Sequence, residues 1–172
     1  ITVTSLFLFS GDSITLAAAA GTDGKMASTL MSDPCYNRVR AGDSVCFTGI
    51  YRLQDGKKRA FAFVPVYAKG GVKRVLAGGI DLENKAFQSI VLSLNPGKKG
   101  FSYLVDGAGK MILSGDPDKE NEVRVVSDFL PVRSVLGGQM GATVYRYGRS
   151  KMIATFYPVD PPGWGLVVQR PY

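Results

Sequence analysis

Histidine is absent from this sequence of 172 residues, and cysteine occurs only twice. The commonest metal ligand, and the one side chain that titrates near neutrality, is therefore missing. Cys35 and Cys46 do not form a CxxC pair, which argues against a zinc site. They could form one disulfide in an oxidising compartment. Two buried thiols would satisfy the same residues. Uninterrupted apolar runs are short as well. None approaches the ~18–20 residues that a membrane span needs, and "SITLAAAA" has no basic segment before it, so it does not read as a signal peptide. Nucleophile and phosphate-loop motifs are lacking too. "LFSGDS" is not a G-x-S-x-G elbow, and "GAGK" lacks the spacing of a phosphate loop. Asp116 and Asp118 fall in a polar stretch and read as solvated charge. The chain reads as no enzyme, with no metal and no cofactor.

What is present suits a globular fold. Hydrophobic residues make up 45% of the chain and charged residues 20%, enough to bury a core. Lys and Arg exceed Asp and Glu by 7. These basic residues form small clusters ("NRVR", "GKKR", "VKR", "GKKG", "YRYGRSK") with no aromatic interleaving along a stripe. That pattern argues against nucleic acid and suits a solvated surface or an anionic ligand.

Strand signals dominate. "TVTSLFLF" and "ITLAAA" flank the turn cluster "SGDS". Met26 to Met31 suggests a short helix, ended before Pro34. Three strands follow: "SVCFTGIYRL", "RAFAFVPVYA" and "VKRVLAGGIDL", joined by "QDGK" and "KGG". "DLENKAFQSIVLSL" reads as a helix with Asp81 as N-cap and Phe87, Ile90 and Val91 at helical spacing. The plan then recurs. "FSYLVDGAGKMILSG" is a hairpin whose turn uses Asp106, Gly107 and Gly109 as residues tolerant of positive φ. "DPDKENEVR" is a polar loop and "VVSDFLPVRSVL" a short helical piece. "GATVYRYG", "KMIATFYPV" and "WGLVVQRP" are three more strands.

The recurrence extends to residues. "FVPV" at 63–66 matches "FYPV" at 156–159, and "LFLFSGDSITL" at 6–16 matches "SYLVDGAGKMI" at 102–112, at nearly one offset. The expected fold class is α+β: two tandem modules, each a five-stranded antiparallel sheet with helical cover. The expected division is 1–92, a first module with the connecting helix, and 93–172, a second module. Pro65 and Pro158 cannot donate to a ladder, so each belongs at a strand end, an edge or a bulge. Gly78 and Gly79 leave a strand face bare, which allows close approach of a ligand or another backbone.

Four stretches, "DPCYNRVRAGDSVCFTGIYR", "FAFVPVYAKGGVKRVLAGGIDLENKAF", "GFSYLVDGAGKMILSGDP" and "ATFYPVDPPGWGLVVQRPY", resemble the double Cache (dCache, tandem PAS-like) sensor domains of bacterial receptors. Such domains are the extracytoplasmic parts of sensor histidine kinases, chemoreceptors and diguanylate cyclases. The resemblance implies an extracytoplasmic, periplasmic domain of an inner-membrane receptor, held by flanking transmembrane helices and open to homodimerisation. It implies a long helix before Ile1, and a membrane-entering helix after Tyr172. It also implies that the first module is membrane-distal and the second membrane-proximal, with a small-molecule ligand between the sheet and the irregular crossing of the distal module.

Carried onto this sequence, that ligand site takes Tyr36 on the crossing and Tyr51 on the third strand. Strand alternation adds Phe47 to the face of Tyr51, together with Gly49 and Leu53, and sends Arg52 to the other face. Val75, Ala77 and Gly79 share a face on the fifth strand, and Phe61 and Phe63 share one on the fourth. Gly79, Phe61 and Phe63 complete a mostly apolar lining, although the three phenylalanines serve equally as plain core. Arg38 and Arg40 are the candidates for an anionic group, or ordinary surface charges.

Amino-acid-binding members of the family carry an Arg and a Trp just before the crossing tyrosine, and acids on the third and fifth strands. Those positions here are Asp33, Cys35, Leu53 and Gly79. A buried α-ammonium would lack its carboxylate, which is costly. The expected ligand is a small carboxylate or another metabolite, and a structural or dimerising module without ligand is the alternative.

Overall fold

The computed structural model describes residues 3–11, 13–18, 24–53, 56–94, 96–116 and 124–172. Most of the "DPDKENEVR" loop, Asp118 included, lies outside them, as does part of "QDGK". The chain forms two compact units, Ile1–Asn84 and Lys85–Tyr172.

In the first unit, β1 (Val3–Ser10) and β2 (Ser13–Ala18) form the opening hairpin. Two short helices cross next, α1 (Gly24–Met31) and α2 (Pro34–Ala41). Ala27 and Leu30, one turn apart, are the buried residues of α1. Asp33 caps α2 by accepting the Cys35 N–H at 2.8 Å, and Pro34 opens the helix where no donor is needed. Then come β3 (Cys46–Phe47), β4 (Tyr51–Arg52), β5 (Lys58–Ala68) and β6 (Gly71–Asp81). The antiparallel sheet runs β2-β1-β6-β5-β3, with β4 also paired to β5.

The third strand is thus not the single run expected. Phe47 pairs with Ala62 but Tyr51 pairs with Arg59, so one extra residue is accommodated between them. Thr48, buried there, takes the Phe61 N–H on its Oγ1 at 2.9 Å and donates to the Gly49 carbonyl at 2.7 Å. The shift reverses the alternation. Cys46, opposite Phe63, and Tyr51 lie on the core face, while Phe47 takes the other.

The second unit begins with α3 (Lys85–Leu92), which packs on β7 (Phe101–Val105) and β8 (Met111–Ser114). The connecting helix therefore goes with the second unit. It starts later than expected, because Asp81 ends β6 and its carboxylate accepts the Glu83 N–H at 2.9 Å. Val91 is the buried residue of α3, and Ile90 is exposed. After α4 (Leu130–Leu136) the meander β9 (Gly141–Tyr147), β10 (Ser150–Val159) and β11 (Trp164–Pro171) completes a sheet of order β8-β7-β11-β10-β9.

Counted within each unit, both sheets order their strands alike, apart from the split third strand of the first. Pro65 sits opposite Val75 and lies past the last β3 pair at Phe63. Pro158 sits opposite Gly165 and lies past the last β9 pair at Phe156. Each missing N–H thus falls where one side of the strand is unpaired among the described residues. The β7–β8 turn rests on Asp106, whose Oδ1 accepts the N–H groups of Ala108 and Lys110 at 3.0 and 2.9 Å. Only Gly109 there has positive φ, 75°. No helix of the described residues is long and apolar enough to cross a membrane.

Candidate functional site

The strongest site-forming feature is a disulfide. Cys35 and Cys46 are bonded, with Cα atoms 5.3 Å apart, and this ties α2 to β3. Tyr36, next to the bond, is thereby held over the sheet. Its ring meets Phe9 edge-on at 5.3 Å and lies 6.3 Å from Phe63, and its hydroxyl donates to the Gly11 carbonyl.

Beside Tyr36 lies a cavity of about 260 Å³, lined by Phe9, Gly11, Tyr36, Arg40, Val72, Arg74 and Val75. Arg40 and Arg74 both line it, and no acid does so among the described residues. Arg40 stands 5.5 Å over the Tyr36 ring, as expected for positions four apart on one helix face. Arg38, two residues from Tyr36, points elsewhere and pairs with Asp43 at 2.8 Å on the exposed side.

The other expected residues lie elsewhere on the sheet. Tyr51 donates to Asp33 Oδ2 at 2.5 Å and meets Phe61 edge-on at 5.9 Å. Burial, and then the Asp33 carboxylate, raise its phenol above the usual range. Phe61 and Phe63 are fully buried with Phe7 and Phe9. A Cβ at Gly79 would lie 3.0 Å from the Phe61 ring and 3.1 Å from Ser5 Cβ. The bare face at Gly79 is therefore taken up by neighbouring side chains.

Of the eight residues singled out in the sequence, the cavity brings together Tyr36 and Arg40. Tyr51, Phe61 and Gly79 cluster one step along the sheet, and Phe63 lies between the two groups. Arg38 and Phe47 belong to neither. Sequence patterns missed Phe9, Gly11, Val72 and Arg74, and they set Val75 on the face of Gly79 without naming it as part of the lining. The cluster "VKR" marked Arg74 only as a basic residue, and its place beside α2 comes from pairing across the sheet.

The second unit holds a chain of buried polar groups. Tyr103 and Tyr145 approach through their hydroxyls at 3.4 Å, and Tyr145 donates to Gln169 Oε1. Tyr147 donates to Asp116 Oδ2 at 3.2 Å. Asp116 is therefore buried and engaged, not the solvated charge expected. Burial pushes the Tyr145 phenol up to about 12, against the lowering effect of its bonds to Tyr103 and Gln169. Burial likewise raises Tyr103 and Tyr147, helped by Tyr145 and by Asp116 respectively. Among the described residues no three His, Cys, Asp or Glu side chains gather as a metal site.

No curated protein sequence matches the chain. Solved structures do. The extracellular domain of a protein described as a histidine kinase superposes with a TM-score of 0.71 at 14% identity, over 97% of this chain and 70% of that one. The ligand-binding domain of the Pseudomonas aeruginosa PAO1 amino acid chemoreceptor PctB, in complex with L-Arg, gives 0.64 at 21% identity, over 99% and 72%. The ligand-binding domain of the Campylobacter jejuni chemoreceptor Tlp3, in complex with 4-methylisoleucine, gives 0.67 at 13% identity, over 98% and 65%. At such identities the likeness is one of fold. The chain spans 55% of a further histidine-kinase extracellular domain that it matches. The sequence profile of the Cache domain matches residues 3–172. With two sheets of one strand order and a profile match over nearly its whole length, the chain belongs to the Cache domain family, in its double form, dCache.

Proposed function

We propose that this chain is the extracytoplasmic sensing part of a bacterial membrane receptor, and that its first unit binds a small carboxylate beside Tyr36. The observation that carries this reading is the cavity whose described lining includes a phenol and two arginines. Guanidinium forks match a carboxylate, and the Tyr36 ring stacks under one of them. The chemoreceptor domains named above are described with an amino acid or amino-acid-like ligand. Among the described residues, the positions at which amino-acid-binding members carry their acids offer an α-ammonium no free carboxylate. Asp33 is already engaged by the Cys35 N–H and the Tyr51 hydroxyl, and Gly79 and Leu53 supply none.

The two units are read as tandem PAS-like modules that arose by duplication. The unit with the cavity lies distal to the membrane and its companion proximal. Ligand would shift the balance between two arrangements of α2 and the sheet, and flanking membrane helices would pass on that shift. An oxidising periplasm suits the disulfide. Cache domains are non-catalytic, so any kinase or cyclase activity would reside in another part of the receptor.

Thermal shift and calorimetric titration with small mono- and dicarboxylates test the proposal, with L-arginine as comparison. Carboxylates should raise the melting temperature, because a ligand of the folded state stabilises by mass action. Arg40→Ala and Arg74→Ala should each weaken binding about 10–100-fold, and the double variant more, since each charged hydrogen bond contributes roughly 1.5–3 kcal/mol. Equal affinity in the double variant would sink the site. One observation favours a second reading, a structural or dimerising module: the face beneath α2 is already filled by Phe7, Phe9, Phe61 and Phe63. Absence of any stabilising carboxylate, together with a dimer in sedimentation, would support it.

A further inference from the structure

Arg59 of the first unit has an environment that a structural arginine does not need. It lies on the core face of β5 and is only 7% exposed. The one hydrogen bond of its side chain among the described residues runs from Nη1 to Ser5 Oγ at 2.6 Å. Its Nε–H is buried with no acceptor. Among the described residues Arg38–Asp43 is the sole ion pair, so Arg59 has no counter-charge there. Two carboxylates belong to neighbouring positions, and both are engaged elsewhere. Asp81, its cross-strand partner, accepts the Glu83 N–H, and Asp33 accepts from Cys35 and Tyr51.

A guanidinium cannot shed its proton to escape burial. A buried charge without a partner costs several kcal/mol. The edge of Arg59 left over is its Nε–Nη2 side, where two parallel N–H groups match the two oxygens of a carboxylate. Ser5 Oγ accepts from Nη1 and so retains its own proton to donate. Gly79 gives Ser5 its place, because a Cβ there would crowd Ser5 Cβ at 3.1 Å.

We infer that Arg59 and Ser5 form a second, buried anion site in the first unit, which takes a single carboxylate group. It goes beyond the cavity beside Tyr36. Ser5 and Phe9 are four residues apart on β1, about 14 Å at the rise of a strand, so one small ligand does not span both.

The test uses the whole chain, labelled with ¹⁵N, and acetate as the probe against chloride at equal ionic strength. The Arg59 Nε–H cross-peak, identified by its loss in Arg59→Lys, should move saturably with acetate. Arg59→Met should melt at the same temperature as the parent or higher without acetate, because an apolar side chain replaces an unpaired charge. In the Arg40→Ala, Arg74→Ala protein the Arg59 response should persist, which separates this site from the cavity. A cross-peak indifferent to acetate overturns the inference, and that wild-type readout decides even if Arg59→Met fails to fold. A folded Arg59→Met that melts several degrees lower also overturns it, by making Arg59 a structural residue. So does loss of the Arg59 response in the double variant.

Discussion

Beneath α2 the first unit presents Phe7, Phe9, Phe61 and Phe63, stacked and edge-on, with a disulfide clamping the helix above them. At corresponding strand positions in the second unit stand Tyr103, Ala154 and Phe156, joined by Gln169 and Tyr145. The pair Phe61 and Gly79 faces across β5 and β6, and its counterpart across β10 and β11 is Ala154 and Gln169. Bulk has moved from one strand to its neighbour, so each pair holds one large and one small side chain. What the exchange changes is chemistry. The first unit has an aromatic face and a buried cation, Arg59. The second has a polar network with its own unsatisfied atom, Gln169 Nε2. One strand order accepts both fillings because the backbone ladder is independent of which partner carries the volume.

Removing the clamp should separate the units most. Cys35→Ser with Cys46→Ser opens an eleven-residue link and should cost the first unit about 2–4 kcal/mol. Hydrogen exchange in α2 and β3 should accelerate. Trp164, the sole tryptophan, lies in the second unit, and its fluorescence transition should stay in place. A Trp164 midpoint that falls equally would mean that the two units unfold as one.

Glycine replacements sharpen the packing side of the comparison. A Cβ at Gly165 would run into Val135 Cγ1 of α4 and lie 3.1 Å from Val105 Cγ2. Gly165→Ala should therefore destabilise the second unit by about 1–3 kcal/mol, the range for overpacking, read as a lower Trp164 midpoint in urea. Gly79→Ala meets Phe61 and Ser5 at 3.0 Å or more, and the first unit should lose less. The reverse order would show that α4 yields more readily than the aromatic face.

The smallest effect expected is on pH dependence. A phenol in the unfolded chain loses its proton near about 10, whereas folded Tyr145 does so at about 12. Over that interval the unfolded state binds fewer protons, so stability is fully present below pH 10 and declines as pH rises through the folded value. Tyr103, Tyr145 and Tyr147 are raised together in the second unit, and Tyr51 is raised in the first. Urea midpoints at pH 9, 10 and 11 should fall more for Trp164 than for a probe on α2. Parallel declines would place the alkaline sensitivity in something other than these phenols.

Local pattern accounts for what was legible in the sequence. β-branched and aromatic alternation marked the strands, since side chains two apart share a face. The matched prolines and hairpins marked the two sheets of one order, because turn chemistry is written in adjacent residues. Tyr36 and Arg40 were singled out in the sequence, but the helix α2 that sets them on one face was not. Tertiary pairing decided the rest. Whether Cys35 and Cys46 bond depends on where α2 lands relative to β3. The extra residue near Thr48, which moves Phe47 off the site, shows only in the register against β5. The collar of "polar loop" around Asp116 hid an acid that Tyr147 meets from another strand. Arg74 beside Tyr36 and Arg59 beside Ser5 are meetings between residues 38 and 54 apart in sequence. Burial and charge partners are properties of such long-range contacts, and hydrophobic periodicity carries no record of which distant strand will stand opposite.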